Sequence, residues 1–339
     1  MEKFAGIDLG KEALNFHVVD GTGASVRHGR TSATPQAVVS ALSGLSLTRV
    51  GVEAGPYGTW LVEGLCRSGL PGMLIETRRM KQLSKHSKVK TDARDAEAIA
   101  LAMRCGMYTP VHLKSASSRQ VRTLLQARTT LVRSRQALQN SVRGLLKDYG
   151  VKLKRQSSRL LEEAVRQVLL ELDEPVRLAI EPLLVSIATL RHQQAELDRR
   201  VRRLAKADPV VRLLMTVPGV GPVVGLAYRA TIDDPQRFQD SSHVAAYLGL
   251  TPSQYSSGQT DRTGAITGQG DKLARAYLYE AATVILGRLR RPCALRDWGL
   301  AVVERRGARR ARVAVARKLA GLLHRIWVTG KPFDWRPAA

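Results

Sequence analysis

Phe4-Ala5-Gly6-Ile7-Asp8-Leu9-Gly10 is the stretch that decides the fold. An apolar run ended by an acid and then a glycine reads as a buried strand with Asp8 at its end. Val50-Gly51-Val52-Glu53 repeats the pattern, with Gly55 and Pro56 stopping the strand and a helix following from about Thr59 to Cys66. Two strand ends are therefore expected to present two acids side by side.

Asp92 and Asp95 lie three apart in a segment whose apolar positions Ala96, Ile99, Ala100 and Ala102 keep helical spacing, so both project from one face. Thr91 suits the N-cap of that helix, and acids in its first turn favour the positive end of the helix dipole. Four converging carboxylates repel one another unless a cation neutralises them. Mg²⁺ fits, because it takes oxygen ligands and keeps waters and open positions for a phosphate. Two such ions about 4 Å apart activate a nucleophile and stabilise a leaving oxygen in phosphodiester chemistry. Any one of these acids alone reads as a cap or an exposed side chain. Asp8, Glu53, Asp92 and Asp95 together point to a metal site acting on nucleic acid phosphates.

Charge supports that partner class. The chain carries 54 Lys+Arg against 29 Asp+Glu, a net +25, which favours polyanions through counterion release. Residues 1–110 hold 14 basic and 10 acidic residues, whereas 111–339 hold 40 and 19. The acid-bearing part is thus nearly neutral, and the remainder is the electrostatic footprint. No apolar run approaches 18 residues and no N-terminal signal pattern is present. A soluble cytoplasmic protein acting at the nucleoid is expected, rather than a membrane-surface one. Cys66, Cys105 and Cys293 are odd in number and far apart, and the seven histidines show no paired ligand spacing. These spacings support neither a disulfide framework nor a Cys- or His-based metal site.

Three segments are expected: 1–110, 111–208 and 209–339. The first is α/β, with strands at Phe4–Asp8, Ala13–Val19, Ser25–His28, Arg49–Glu53 and Met73–Glu76. The first three form a meander turning through Asp20-Gly21-Thr22-Gly23, and the later ones are joined through helices. That order is the one a ribonuclease H-like fold shows. The second segment is all-α, with Leu124, Leu125, Leu131, Leu138, Val142 and Leu145 in helical register, then Leu183, Leu184, Ile187, Leu190, Leu197, Val201 and Leu204. Such length implies a helical hairpin or coiled coil, with Lys147–Ser158 as a basic connection at its tip. Arg199, Arg200, Arg202 and Arg203 read equally as a solvated face or a nucleic-acid contact.

The third segment is mainly helical and carries two local signals. Thr216-Val217-Pro218-Gly219-Val220-Gly221-Pro222 resembles a helix-hairpin-helix turn, whose glycines let backbone N–H groups approach a phosphate. A tight turn between packed helices accounts for it as well. Tyr247-Leu248-Gly249-Leu250-Thr251-Pro252-Ser253-Gln254-Tyr255-Ser256-Ser257-Gly258, followed by Thr263 to Asp271, reads as a polar, glycine-rich loop near Arg262, Lys272 and Arg275. A nucleophilic serine needs activation, and no His or Asp partner is legible beside these hydroxyls.

GIDLGKE, VEAGPYG, KVKTDARDAEAIA, TVPGVGP and AAYLGLTPSQYSSG with ITGQGD resemble the insertion sequence 110 family of transposases, in order and across nearly the whole chain, to the terminal helix ARVAVARKLAGLLHRIW. The resemblance implies a RuvC-like DEDD domain with Asp8, Glu53, Asp92 and Asp95 as Mg²⁺ ligands, a coiled coil, and a C-terminal domain with a catalytic serine. Its serine precedes the glycine of a Tyr-x-Ser-Gly segment, which selects Ser257; spacing alone does not separate it from Ser256. The family's Ile-x-Lys-x-Gly segment reads Ile266-Thr267-Gly268-Gln269-Gly270 here, so that lysine is missing, although Lys272 and Arg275 are near. The resemblance further implies a recombinase that joins donor and target DNA through a phosphoserine link, a noncoding bridge RNA as guide, and a homodimer assembling to a tetramer.

Two other classes compete. A structure-specific nuclease such as a junction resolvase would keep the acids and use metal-activated water. A sugar-kinase or actin-like ATPase would explain GIDLG and Asp20-Gly21-Thr22-Gly23, but that turn follows Asp8 too closely to be a second phosphate loop, and such an enzyme has no need of +25.

Overall fold

The computed structural model describes residues 2–76, 91–154, 157–257 and 260–335. Lys88–Lys90, Arg155 and Gly258, which figure among the sequence motifs, lie outside these. The chain divides into two units, Met1–Leu113 and Lys114–Ala339.

The first unit is built on a six-stranded sheet of order β3-β2-β1-β4-β5-β6. β1 (Lys3–Leu9), β2 (Ala13–Asp20) and β3 (Ser25–Ser32) form the antiparallel meander. Asp20 turns it, its Oδ1 accepting from the backbone N–H of Thr22, Gly23 and Ala24 at 2.9–3.0 Å. α1 (Pro35–Ala41) leads to β4 (Arg49–Glu53), which lies parallel to β1, and α2 (Gly58–Arg67) leads to β5 (Gly72–Glu76), parallel to β4. α3 (Asp92–Cys105) and the short β6 (Thr109–Pro110) complete the unit. This mixed order, with helices on both faces, is consistent with a ribonuclease H-like domain.

Helices on both faces explain why β1 is apolar without alternation. Ala5, Ile7, Val50 and Val52 pack with Val38 of α1 and Leu61 and Leu65 of α2. Phe4, Val19 and Ile75 pack on the other face with Ile99, Ala100 and Met103 of α3. Gly6 sets the distance between α3 and the sheet: a Cβ there would lie 2.2 Å from the Ala96 carbonyl oxygen and 2.3 Å from the Ala100 nitrogen.

In the second unit, α4 (Ala116–Leu145) and α6 (Glu174–Ala207) run antiparallel, with α5 (Ser158–Leu169) between them in sequence. Arg128 Nε donates to Asp198 Oδ1 at 2.5 Å and Arg135 Nε to Gln194 Oε1 at 3.1 Å, so rising numbers in one helix meet falling numbers in the other. Val142, Leu161, Val165, Ile180, Leu184 and Ile187 close one end, and Leu125, Val201 and Ala205 pack at the other.

α7 (Pro209–Leu214), α8 (Pro222–Ile232), α9 (Ser241–Tyr247), α10 (Lys272–Gly287), α11 (Ala294–Arg306) and α12 (Ala308–Thr329) follow. Their core runs through Val217, Tyr228, Val244, Leu278, Ile285, Leu319 and Leu323. Tyr228 donates its hydroxyl to the Ala320 carbonyl at 2.7 Å, and burial pushes its pKa well up. Gly219, in the turn between α7 and α8, has φ +77°, and a Cβ would fall 2.6 Å from the Ala281 carbonyl oxygen. Packing against α10 is therefore reason enough for this glycine.

The polar stretch expected to be a loop is instead a two-stranded ribbon, β7 (Pro252–Ser257) with β8 (Thr260–Ile266). Most of β7 is exposed on both faces, so it lacks the apolar alternation by which strands are read. Among the described residues, no helix is long and apolar enough to cross a membrane.

Candidate active site

Asp8 and Glu53 stand at equivalent positions on neighbouring parallel strands: Ile7 pairs with Val52, and each acid is the next residue. Side chains alternate along a strand. Ile7 and Val52 face α1 and α2, so Asp8 and Glu53 face the side covered by α3, and both are half-buried.

α3 starts at this same end of the sheet. Arg49, which opens β4, donates from Nη1 to the Met103 carbonyl at 3.2 Å, and Arg104 Nη1 donates to the Thr22 carbonyl at 3.0 Å. The last turn of α3 thus lies beside the start of β4 and the β2–β3 turn, and its middle crosses Gly6. Its first turn comes to the carboxyl ends of β1 and β4. Asp92 and Asp95 precede Ala96 and Ile99, which are buried against the sheet, by one turn each. Asp8 and Glu53 thus lie on the face that α3 covers, and the α3 backbone starts toward the same end of the sheet.

Local chemistry holds the helix start there. Thr91 Oγ1 accepts from the Arg94 N–H at 3.4 Å, as expected of an N-cap, and the acids occupy the first turn, where the helix dipole favours negative charge. Among the described residues, no three carboxylate, imidazole or thiol groups are gathered as a ready-made metal centre. The donor set nevertheless suits a hard divalent cation, since it offers carboxylate oxygens from two strand ends and a helix start. Carboxylates placed this way approach one another closely only when a cation offsets their charge.

On the β7–β8 ribbon, Tyr255 pairs with Arg262, Ser256 with Asp261, and Ser257 with Thr260. Alternation puts Tyr255, Ser257 and Arg262 on one face and Ser256 with Asp261 on the other. Ser256 donates its hydroxyl to Asp261 Oδ1 at 2.9 Å. The acid partner that the sequence did not reveal therefore exists, and it belongs to Ser256. Only strand register across residues 258–259 brings the two together, so no linear motif announces it.

Two further groups shape the second unit. Lys114 Nζ donates to the Thr231 carbonyl and lies 3.3 Å from Tyr247 Oη. Burial pushes the Lys114 pKa down. Burial would raise the Tyr247 hydroxyl, but the charges of Lys114 and Arg237 outweigh it and hold it below its ordinary value. Along α12, Arg310, Arg317, Lys318 and Arg325 recur at helical spacing beside cavities of about 690 and 580 Å³ that share Ser241, Lys318 and Gly321. Lys318 Nζ lies 3.9 Å from the centre of the Trp298 ring. A cationic strip with apolar walls suits a polyanion that also carries flat bases.

The chain is similar to known transposases. Residues 211–298 match the family described as Transposase IS116/IS110/IS902 family, and residues 5–151 match the DEDD transposase family of IS110. The transposase for insertion sequence element IS1111A of Coxiella burnetii is 28% identical over 325 residues, covering 95% of this chain and 88% of that protein. The transposase for insertion sequence element IS1328 of Yersinia enterocolitica is 24% identical over 347 residues, covering 97% of this chain and 98% of that protein. A probable family 20 transposase of Pseudomonas aeruginosa is 30% identical over 331 residues, covering 94% of each. With both halves matched and this last relative aligned almost end to end, the chain belongs to the IS116/IS110/IS902 family of transposases.

Proposed function

We propose that this transposase cuts and rejoins DNA through a phosphoserine intermediate on Ser257, assisted by Mg²⁺ on a DEDD site of Asp8, Glu53, Asp92 and Asp95. What supports the reading is the register that puts Asp8 and Glu53 at adjacent strand ends on the face covered by α3, the helix whose first turn carries Asp92 and Asp95. Mg²⁺ held by these acids would supply positive charge to the phosphate as negative charge builds on it.

The reaction balances, with solvent at the exposed ribbon carrying the proton from Ser257 to the leaving oxygen. The Ser257 hydroxyl loses its proton as its Oγ–P bond forms and the P–O3′ bond breaks, and the departing 3′ oxygen takes up a proton. Rejoining reverses these steps on a second 3′ hydroxyl, so the energy of the broken bond is kept. The ribbon supports Ser257 over Ser256. Arg262 shares the Ser257 face and attracts a phosphate, whereas Asp261 on the Ser256 face repels one.

A bridge RNA as guide follows from the family resemblance, and the excess of 40 basic over 19 acidic residues in 111–339 supports a second polyanion. Segment 111–208 would serve assembly as a coiled coil, giving a homodimer and then a tetramer. Leu160, Leu170, Leu178 and Val185 in that segment are all more than half exposed, which leaves apolar surface for a second copy to cover.

The test is a trap for the covalent adduct. Denaturing electrophoresis of the protein with DNA from its own element and Mg²⁺ should show a protein–DNA species that is present in Ser256→Ala and absent in Ser257→Ala. Free cleaved ends with no adduct would make this a hydrolytic nuclease instead.

A further inference from the structure

Among the described residues, Tyr57, Trp60, Tyr149 and Tyr255 are the aromatic side chains most open to solvent. Two of them, Tyr57 at 54% and Trp60 at 46% exposure, lie close together just after Glu53. Tyr57 also has φ +65°. That left-handed backbone favours glycine, so the ring is kept against the local preference of the chain. Neither feature helps the core, because Leu61, Val62 and Leu65 are the residues through which α2 is buried.

Tyr57 and Trp60 border a cavity of about 470 Å³ whose other walls are Lys11, Glu12 and Ala33. Lys11 belongs to the turn between β1 and β2, three residues past Asp8. The cavity therefore lies at the carboxyl ends of β1 and β4, where Asp8 and Glu53 stand, but on the α1–α2 side, since Ala33 packs in the core with Ile7 and Val52. A strand laid across this end of the sheet passes from the acids on one face to the aromatic pair on the other. The step is about one structural layer, roughly 10 Å, which a few nucleotides cover.

We propose that Tyr57 and Trp60 form a stacking platform for an unpaired nucleobase of the DNA strand whose phosphate the four acids handle, with Lys11 beside the backbone of that nucleotide. The inference rests on the reading of those acids as a phosphate site. Bases within a duplex are covered by their neighbours, whereas an unpaired base offers a free face to an exposed ring. The platform selects DNA that is locally opened at the point of reaction, and it fixes the direction in which the strand leaves the acids.

Tyr57→Gly separates the platform from the fold, because glycine tolerates the left-handed backbone while the ring is lost. The full-length protein would be titrated with a DNA duplex holding a short unpaired stretch that contains 2-aminopurine, in Mg²⁺. Tyr57→Gly should melt at or above the parent temperature, bind this DNA about tenfold more weakly, and lose the stacking-induced quenching of 2-aminopurine. Trp60→Ala should weaken binding similarly and Trp60→Phe should restore it, while a fully paired duplex should bind all variants alike. Parent-like affinity and quenching in both Tyr57→Gly and Trp60→Ala would overturn the platform and leave the acid site standing. Tighter, Tyr57-dependent binding of RNA of the same sequence would overturn the assignment to DNA. A parent with no Mg²⁺-dependent action on DNA, matched by an unchanged Asp8→Asn variant, would remove the acid site and the platform with it.

Discussion

Ser256 donates its hydroxyl to Asp261 at 2.9 Å, while its neighbour Ser257 lies on the opposite face of the same ribbon. A carboxylate that occupies one hydroxyl and repels phosphate favours the proposed assignment of the other serine, on the face of Arg262, as nucleophile. Ser257→Ala should lower strand transfer roughly a thousandfold or more, as loss of a nucleophile does. Asp261→Asn removes the repulsion yet keeps a hydrogen-bond acceptor, so its activity should stay within a few-fold of the parent. Strand-transfer rates on the element's own DNA check both. A large loss in Asp261→Asn with Ser257→Ala active would reverse the assignment.

The four acids predict a linkage between metal and stability. A cation that binds the folded chain and not the unfolded one stabilises by RT ln(1 + [L]/Kd), about 2.7 kcal/mol at a hundredfold excess over Kd. Mg²⁺ should therefore raise the melting temperature of the parent. Asp8→Asn or Glu53→Gln should abolish that rise, because each removes a charged ligand from the proposed site. Differential scanning calorimetry with and without Mg²⁺ measures it, and an equal metal response in Asp8→Asn would count against the site.

Much of this was legible along the chain. The ends of β4 at Arg49 and Glu53 and the Thr91 cap of α3 are legible in the sequence, because strand ends and helix caps are written in adjacent residues. What escaped depended on contacts between distant residues. β3 runs on to Ser32 because it pairs with β2 along its length, although its own side chains are polar and largely exposed. The β7–β8 ribbon has no apolar face to mark it, and the Ser256–Asp261 bond exists only through its register. The sequence named Asp8 and Asp92 as partners by residue type; the direction of α3, which brings them to one end, came from Arg49 and Arg104 binding its far end.

Gly6 joins the fold to the site. The Ala96 carbonyl oxygen would be 2.2 Å and the Ala100 nitrogen 2.3 Å from a Cβ at this position, and both are α3 backbone rather than the end of a flexible side chain. Gly6→Ala should cost about 3 kcal/mol or more by overpacking and shift α3, so that metal binding falls with stability. Urea denaturation and Mg²⁺ titration of the variant test the two effects together. Parent-like stability would mean that α3 rides more loosely on β1.

Asp240 caps α9, the helix that leads into the ribbon, by accepting from the Ser242 hydroxyl, the Ser242 N–H and the His243 N–H. These bonds, the Ser242 hydroxyl first, lower its pKa from 3.8 to about 2. The folded value lies below the unfolded one, so the stabilisation is present above the ordinary carboxylate range and is lost as pH falls through about 2. The carboxyl carbon of Asp240 should titrate with a midpoint near that value by nuclear magnetic resonance, and a midpoint close to 3.8 would show that the cap is not made.

Leu170, Leu178 and Val185 are 70%, 65% and 56% exposed on the α5–α6 segment. Covering the exposed part of each is worth about 1 kcal/mol, so a second copy seated on this surface would gain roughly fivefold in affinity from each of them. Light scattering should show the parent as a dimer or larger at micromolar concentration. Leu178→Glu with Val185→Glu should give a monomer whose helix content is unchanged, because both side chains already face solvent within one chain. This monomer should still bind DNA but should not complete strand transfer, since joining two DNAs needs more than one copy. A parent that is monomeric throughout, or a double variant that keeps both its assembly and its activity, would place the association surface elsewhere.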